Sequence, residues 1–334
     1  MNGRNSNFEA LRILAIIMIT AYHYVVHGVV DPQTGGGIIL YISSLWGKAG
    51  VDLFCLISGF MLITKNEIHY SKLKKIEWQV LFYTIGGLIV GMILHKDIGL
   101  LDIFYSIFPV ISGHYWYITA YVLVFFLSPY LNQLVRSLDN TSFQRLLIIC
   151  YSFWCIIPFF TLRENSGMFW SQFVWFVVMY ITGAYIRLTE PKFGKNVYYI
   201  SLVISTILLI LSVVVLDWIS IFYSIPSRFV TYFRWSNSPL IVIFCVSLMR
   251  IAAMLPKRSI GWVNFLASLV LGIYLFQEDI FFQDICWHDL FNNSIPTSVV
   301  DRIFHVFSSI LAVVAIGGLI EYVRIKVFKI LKIA

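Results

Sequence analysis

Charge is what this sequence has least of. Only 12% of its 334 residues are Asp, Glu, Lys or Arg, against about 25% in a soluble domain. An ordinary water-soluble enzyme is excluded on that ground. Cysteine is also sparse, with five residues and neither a CxxC nor a Cys/His spacing of the zinc-binding kind. No metal site and no disulfide framework are therefore expected, and the thiols read as packing residues. The chain has no internal repeat and no low-complexity run. Its longest polar connections, near 96–113, 218–236 and 284–302, are too short for a second soluble unit. A single domain over residues 1–334 is expected.

Apolar residues are what the sequence has in surplus, at 59%, with a further signal in its 17% aromatic content. They fall into separated blocks of about 20 residues, the length that crosses a hydrocarbon layer of about 30 Å. Ten spans are predicted, near 8–28, 45–64, 76–95, 114–134, 143–161, 170–189, 197–217, 237–256, 262–283 and 303–325. The fold class is an all-α polytopic integral membrane helix bundle. Trp and Tyr suit the two interfaces, where one end of the ring is wet and the other apolar. An even number of spans places both termini on one side. With the N-terminus inside, seventeen of the 24 Lys and Arg fall on inner segments and six on outer ones, Arg12 being left within the membrane. The positive-inside rule then makes both termini cytoplasmic. The net charge of +7 follows from this topology and gives no reason to expect nucleic acid. The first apolar stretch lacks a small-residue cleavage site, so it is read as a span and not as a signal peptide. Gly35-Gly36-Gly37 is too short and isolated for a phosphate cradle, and reads as a flexible piece of the first outer loop.

Ionisable residues inside a span are costly to bury and mark functional candidates. Arg12 and His23 both lie in the first span. Eleven residues at about 100° each return to within about 20° of the starting direction, so the two side chains share one helix face. The rise of 1.5 Å per residue sets them about 16 Å apart along the axis. The expected depth puts Asp52, Glu278 and Asp279 in the same outer layer as His23. His114, Tyr115 and Trp116 open the fourth span there, and Arg234, Asp301, Arg302 and His305 flank that side. A pocket of this kind suits hydroxyl activation. A positioned imidazole takes the proton of an alcohol as it attacks an acyl carbon, with Asp52 or Glu278 orienting the ring. The same spacing also fits a His23 that only hydrogen-bonds across helices, and an Asp52 that is only a buried partner. Glu9 and Arg12, three apart, also fit a local ion pair. On the inner side Lys72, Lys74 and Lys75 approach Arg12 in depth and form a cationic mouth for phosphate groups, although any cytoplasmic loop collects lysines.

These segments resemble the membrane-bound acyltransferase-3 family. The resemblance rests on Arg12 and His23 with ten residues between them, on Gly50-Val51-Asp52-Leu53-Phe54 with Ser58-Gly59-Phe60, and on His114-Tyr115-Trp116-Tyr117 with Ser128-Pro129. Asn237-Ser238-Pro239 and Gly272-Ile273-Tyr274-Leu275 complete it. It implies an acyl-CoA donor, usually acetyl-CoA, used from the cytoplasmic side as a co-substrate, and a glycan or lipid-linked saccharide acceptor on the outer side. It implies that Arg12 and His23 are the essential pair. On this reading His23, with Asp52 or Glu278, carries the chemistry as general base or acyl carrier. Arg12, Lys74 and Lys75 hold the donor, and His114, Tyr115, Trp116 and Arg234 contact the acceptor. The setting implied is a bacterial plasma membrane, with membrane lipid and other polysaccharide-assembly proteins as partners. Two departures bear on substrate choice. Gln277 stands where the family often has histidine, and Lys74 and Lys75 stand where arginines are usual; lysine binds phosphate as a point charge and not as a bidentate fork. Two other functions compete. One is a transporter or flippase for a glycan intermediate, which the absence of two interrupted repeat halves disfavours. The other is a catalytically inactive assembly subunit.

Overall fold

The computed structural model describes residues 3–30, 37–65, 67, 70–161, 171–223, 226 and 229–333. Gly35 and Gly36 of the glycine run, and Arg163 and Arg228 of the outer-side charge count, lie outside these residues. Among the described residues there is no strand. The helices are α1 (Ser6–Val26), α2 (Gly37–Ser43), α3 (Gly47–Leu62), α4 (Tyr70–Ile93), α5 (Leu100–Ile107), α6 (Trp116–Ser137) and α7 (Asn140–Tyr151). A π-helical turn joins α7 to α8 (Ile157–Phe160), and α9 (Gln172–Leu188), α10 (Lys195–Tyr223), α11 (Pro239–Met254), α12 (Gly261–Glu278), α13 (Ile280–Asp284) and α14 (Val299–Leu331) follow.

Among the described residues, eight spans are long and apolar enough to cross a bilayer, and the bent pair of α12 and the helical segment after it makes up to nine. Helix α9 is apolar but only 17 residues long, about 26 Å at 1.5 Å per residue. Length alone therefore supports eight or nine spans where the sequence pattern predicted ten. The predicted ninth span, 262–283, is not straight. The chain turns by 77° between α12 and the helical segment that follows it. Asp279 causes the turn. Its backbone leaves the helical region, and its Oδ1 accepts from the N–H groups of Phe281 at 3.2 Å and Phe282 at 3.4 Å, starting a new helix.

Helix α1 is the spine of the bundle. Its Phe8, Leu11, Ala15 and Met18 join a core built with α3, α6, α9 and α11. Its Ile16, Ile19, Tyr24 and Val25 join a second core built with α4, α12 and α14. Two apolar faces on one helix, each buried against a different set of neighbours, give this result. Helices α1 and α12 run side by side in the same direction. At their start Ser6 Oγ donates to Asn264 Oδ1 at 2.8 Å, and the Ile260 N–H donates back to Ser6 Oγ at 2.7 Å. Near their end Gln277 Nε2 donates to Thr20 Oγ1 at 3.1 Å. These polar ties fix the register that brings the last turns of the two helices together.

On the other side of α1, α3 runs antiparallel and packs in turn on α9. There Gly59 and Gly183 let the backbones touch: a Cβ on Gly59 would collide with the Tyr180 carbonyl, and one on Gly183 with that of Leu56. Small residues at a crossing are how membrane helices gain packing contacts without a hydrophobic driving force. The short α5 sits in the predicted 96–113 connection with Leu100 and Leu101 exposed, as expected of an interfacial helix.

Candidate active site

The face of α1 that carries Arg12 and His23 lines one elongated cavity of about 570 Å³. Arg4 and Arg12 mark one end, and His23, His27, Lys48 and Glu278 mark the other. Between them the walls come from Val51, Phe54 and Ser58 of α3, Gln79 of α4, Tyr117 and Tyr121 of α6, and Tyr274 of α12. The cavity is therefore cationic at one end, aromatic along its middle, and an imidazole–carboxylate cluster at the far end.

Arg12, His23, His27 and Glu278 each have a close neighbour of their own. Arg12 Nη1 lies 2.9 Å from Glu9 Oε1 and 3.0 Å from Oε2, and the Glu9 side chain is buried. The local ion pair read from the i,i+3 spacing thus forms, with the guanidinium still facing the cavity. At the other end His23 Nε2 lies 3.1 Å from Glu278 Oε2, and His27 Nε2 lies 3.6 Å from the same oxygen. Glu278 Oε2 is buried and makes no hydrogen bond to another protein group, and neither does His23 Nδ1. The His23–Glu278 contact is thus one of proximity. The His27 N–H donates to the His23 carbonyl at 2.9 Å, which places the two rings one turn apart with centroids 4.9 Å apart.

The decisive comparison is with families of known proteins. A family model described as an acyltransferase domain matches residues 5–322, nearly the whole chain. The chain belongs to the acyltransferase-3 family. With its apolar helices it is a multi-pass membrane acyltransferase. No curated protein and no solved structure matches it.

The remaining residues singled out from the acyltransferase sequence fall into two groups. Trp116 lines the cavity, and Arg234 stands behind it, with its guanidinium 5.3 Å from the Tyr22 ring centroid and its Nη1 3.0 Å from Ser44 Oγ. Lys48 covers the same Tyr22 ring at 5.0 Å. The others do not line it. Asp52 is buried on the far side of α3, where Oδ1 accepts from Trp175 Nε1 at 3.0 Å, and it borders a separate void of about 20 Å³. Of the two carboxylates considered for orienting His23, Glu278 is the one in contact. His114 Nε2 lies 3.3 Å from Asp279 Oδ2, and Tyr115 donates to the Leu275 carbonyl at 3.1 Å. Both side chains are buried against the α12 bend, away from the cavity walls. Lys74 and Lys75 are exposed on the first turns of α4, just ahead of Ile76 and Gln79, which do line the cavity.

Sequence reasoning missed His27. It lies within the predicted 8–28 span, and its signal was the i,i+4 spacing to His23 at the C-terminal end of α1. Lys48 and Tyr274 were missed as well. Neither carries a local pattern that distinguishes it from other interface residues.

Proposed function

We propose that the protein is an O-acyltransferase that moves an acyl group, acetyl in the first instance, from cytoplasmic acyl-CoA to a hydroxyl of an extracytoplasmic or lipid-linked glycan. The single observation that carries this reading is the cavity along α1, with Arg12 at one end and His23 beside Glu278 at the other. In this reading ten segments cross a bacterial plasma membrane, α9 among them, and both termini are cytoplasmic.

The donor enters at the Arg4 and Arg12 end, where guanidinium groups meet its phosphates, with Lys74 and Lys75 raising the local positive potential from outside. Its thioester arm extends past the aromatic walls toward His23. The acceptor sugar arrives from the opposite end, against Trp116, with Arg234 bracing Tyr22. His23 Nε2 takes the proton of the acceptor hydroxyl while that oxygen attacks the thioester carbonyl carbon. The carbon–sulfur bond breaks, and the departing CoA thiolate is neutralised by the proton held on His23. Glu278, beside the same ring nitrogen, favours the transient imidazolium through its negative charge. Asp52 acts at a distance, holding α3 and Trp175 in register.

The test is transfer of label from labelled acetyl-CoA in membranes containing wild type or His23→Ala at matched expression. Label passing to glycan or lipid-linked sugar with wild type alone is the expected result. Equal transfer by both removes His23 from the chemistry, and transfer by neither refutes the donor or the acceptor class.

A further inference from the structure

The cluster at the outer end of the cavity has a second property that base chemistry does not require. Three potential metal ligands converge there. His23 Nε2, His27 Nε2 and one Glu278 carboxylate oxygen all lie within 4.8 Å of one another. The two imidazole-to-carboxylate separations are 3.1 and 3.6 Å. Two ligands on a tetrahedral zinc ion, each at about 2.1 Å from the metal, stand about 3.4 Å apart. Adjustments of a few tenths of an ångström bring each imidazole and the carboxylate to that separation, and the two imidazoles, within 4.8 Å of each other, close by up to about 1.4 Å through ring rotation to share one ion. Two histidines at i and i+4 on one helix are a recurrent zinc arrangement, and a carboxylate from a second helix completes a three-ligand site with one open position.

The surroundings favour a cation in two ways. Glu278 Oε2 is buried and makes no hydrogen bond to the protein, so a metal would supply the missing partner. His27 also borders a second cavity of about 540 Å³, where Asp97 and Asp102 offer an acidic approach to the cluster and Asp284 is already paired with Lys96 and His288. Lys48 opposes binding, because it lines the same end of the main cavity.

We infer that His23, His27 and Glu278 form a site for a transition-metal dication of the zinc class, and that its occupancy blocks acyl transfer. The blocking half rests on the proposed role of His23. A bound zinc ion takes the same Nε2 lone pair that receives the acceptor proton, and binding requires both imidazoles in their neutral form. The expectation from the cysteine and histidine spacing was of no metal. That reasoning looked for ligands close together in sequence, and here the third ligand lies on α12, far from α1 along the chain.

The experiment uses the full chain, free of any histidine tag, in detergent micelles dialysed against buffered zinc, with metal counted by atomic spectroscopy. About one equivalent per chain is expected. His27→Gln and Glu278→Gln should each weaken uptake at least tenfold with an unchanged melting temperature, and Lys48→Met should strengthen it. Cobalt in place of zinc should give the intense visible bands of a four-coordinate site. Uptake no greater than background, or equal uptake by wild type and both weakened variants, overturns the site. Because metal is counted without substrate, failure of the acyltransferase reading leaves this result intact. Zinc that binds stoichiometrically and leaves acetyl transfer by wild type unchanged overturns the blocking role alone.

Discussion

Replacing Glu278 by Gln keeps the size of the side chain and removes only its charge. In the wild-type protein that charge sits 3.1 Å from His23 Nε2. At an effective dielectric constant of about 20, a full charge pair at this distance is worth about 5 kcal/mol. The amide dipole of Gln restores part of this, so about 3–4 kcal/mol of transition-state stabilisation is at stake. At about 1.4 kcal/mol per factor of ten, kcat should fall by between a hundredfold and a thousandfold. The KM for acyl-CoA should stay within about twofold, since Glu278 lies at the end of the cavity away from Arg12. The assay is initial-rate acetyl transfer at saturating donor, with Asp52→Asn measured beside it. Asp52 has Trp175 as its partner and no contact with His23, so this second variant should keep most of its kcat. Wild-type kcat in Glu278→Gln would refute the assignment, and so would a larger loss in Asp52→Asn.

The double variant Glu9→Gln/Arg12→Gln removes the Arg12 guanidinium without leaving a buried carboxylate unpaired; the loss of one charge-assisted phosphate contact should raise the KM for acyl-CoA about tenfold at nearly constant kcat. An unchanged KM would take Arg12 out of donor binding. Asp279→Ala should lower stability in detergent by about 2 kcal/mol, because it removes a helix cap and the partner of His114 and Tyr115. Asp279→Asn, which can still cap, should recover about half of that loss in a thermal melt. Gly183→Ala should cost about 1–3 kcal/mol by forcing α9 away from α3, seen as a lower melting temperature, whereas Gly194→Ala, in open space, should not.

Much of this architecture is legible in the sequence because the membrane imposes simple rules. Apolar blocks of span length mark the helices, and 3.6-residue periodicity correctly puts Arg12 and His23 on one cavity-lining face. The bend after Glu278 was not legible. It comes from a single carboxylate choosing to cap a new helix, and Asp279 inside an apolar run gives no local sign of that choice. The partner of His23 was not decidable either. Asp52 and Glu278 have the same chemistry and similar expected depth, and only the packing of α12 parallel to α1, with Asp52 directed toward α9, separates them. The family resemblance implies His114 and Tyr115 as acceptor contacts. In the fold they are drawn to Asp279 instead. Glu321 escaped attention altogether: it is buried in α14, where Gln79, Tyr83 and Arg324 satisfy it at 3.0, 2.9 and 2.6 Å.

The most direct test of the central claim, that one cavity along α1 receives donor at the Arg12 end and acceptor at the His23 end, is acyl transfer in sealed vesicles of known orientation. Labelled acetyl-CoA is confined to the side of the α1 N-terminus and the acceptor to the opposite side. The account predicts product in this arrangement with wild type, none with His23→Ala, and none when the two substrates are exchanged between sides. Product formed only when donor and acceptor share one side would contradict it.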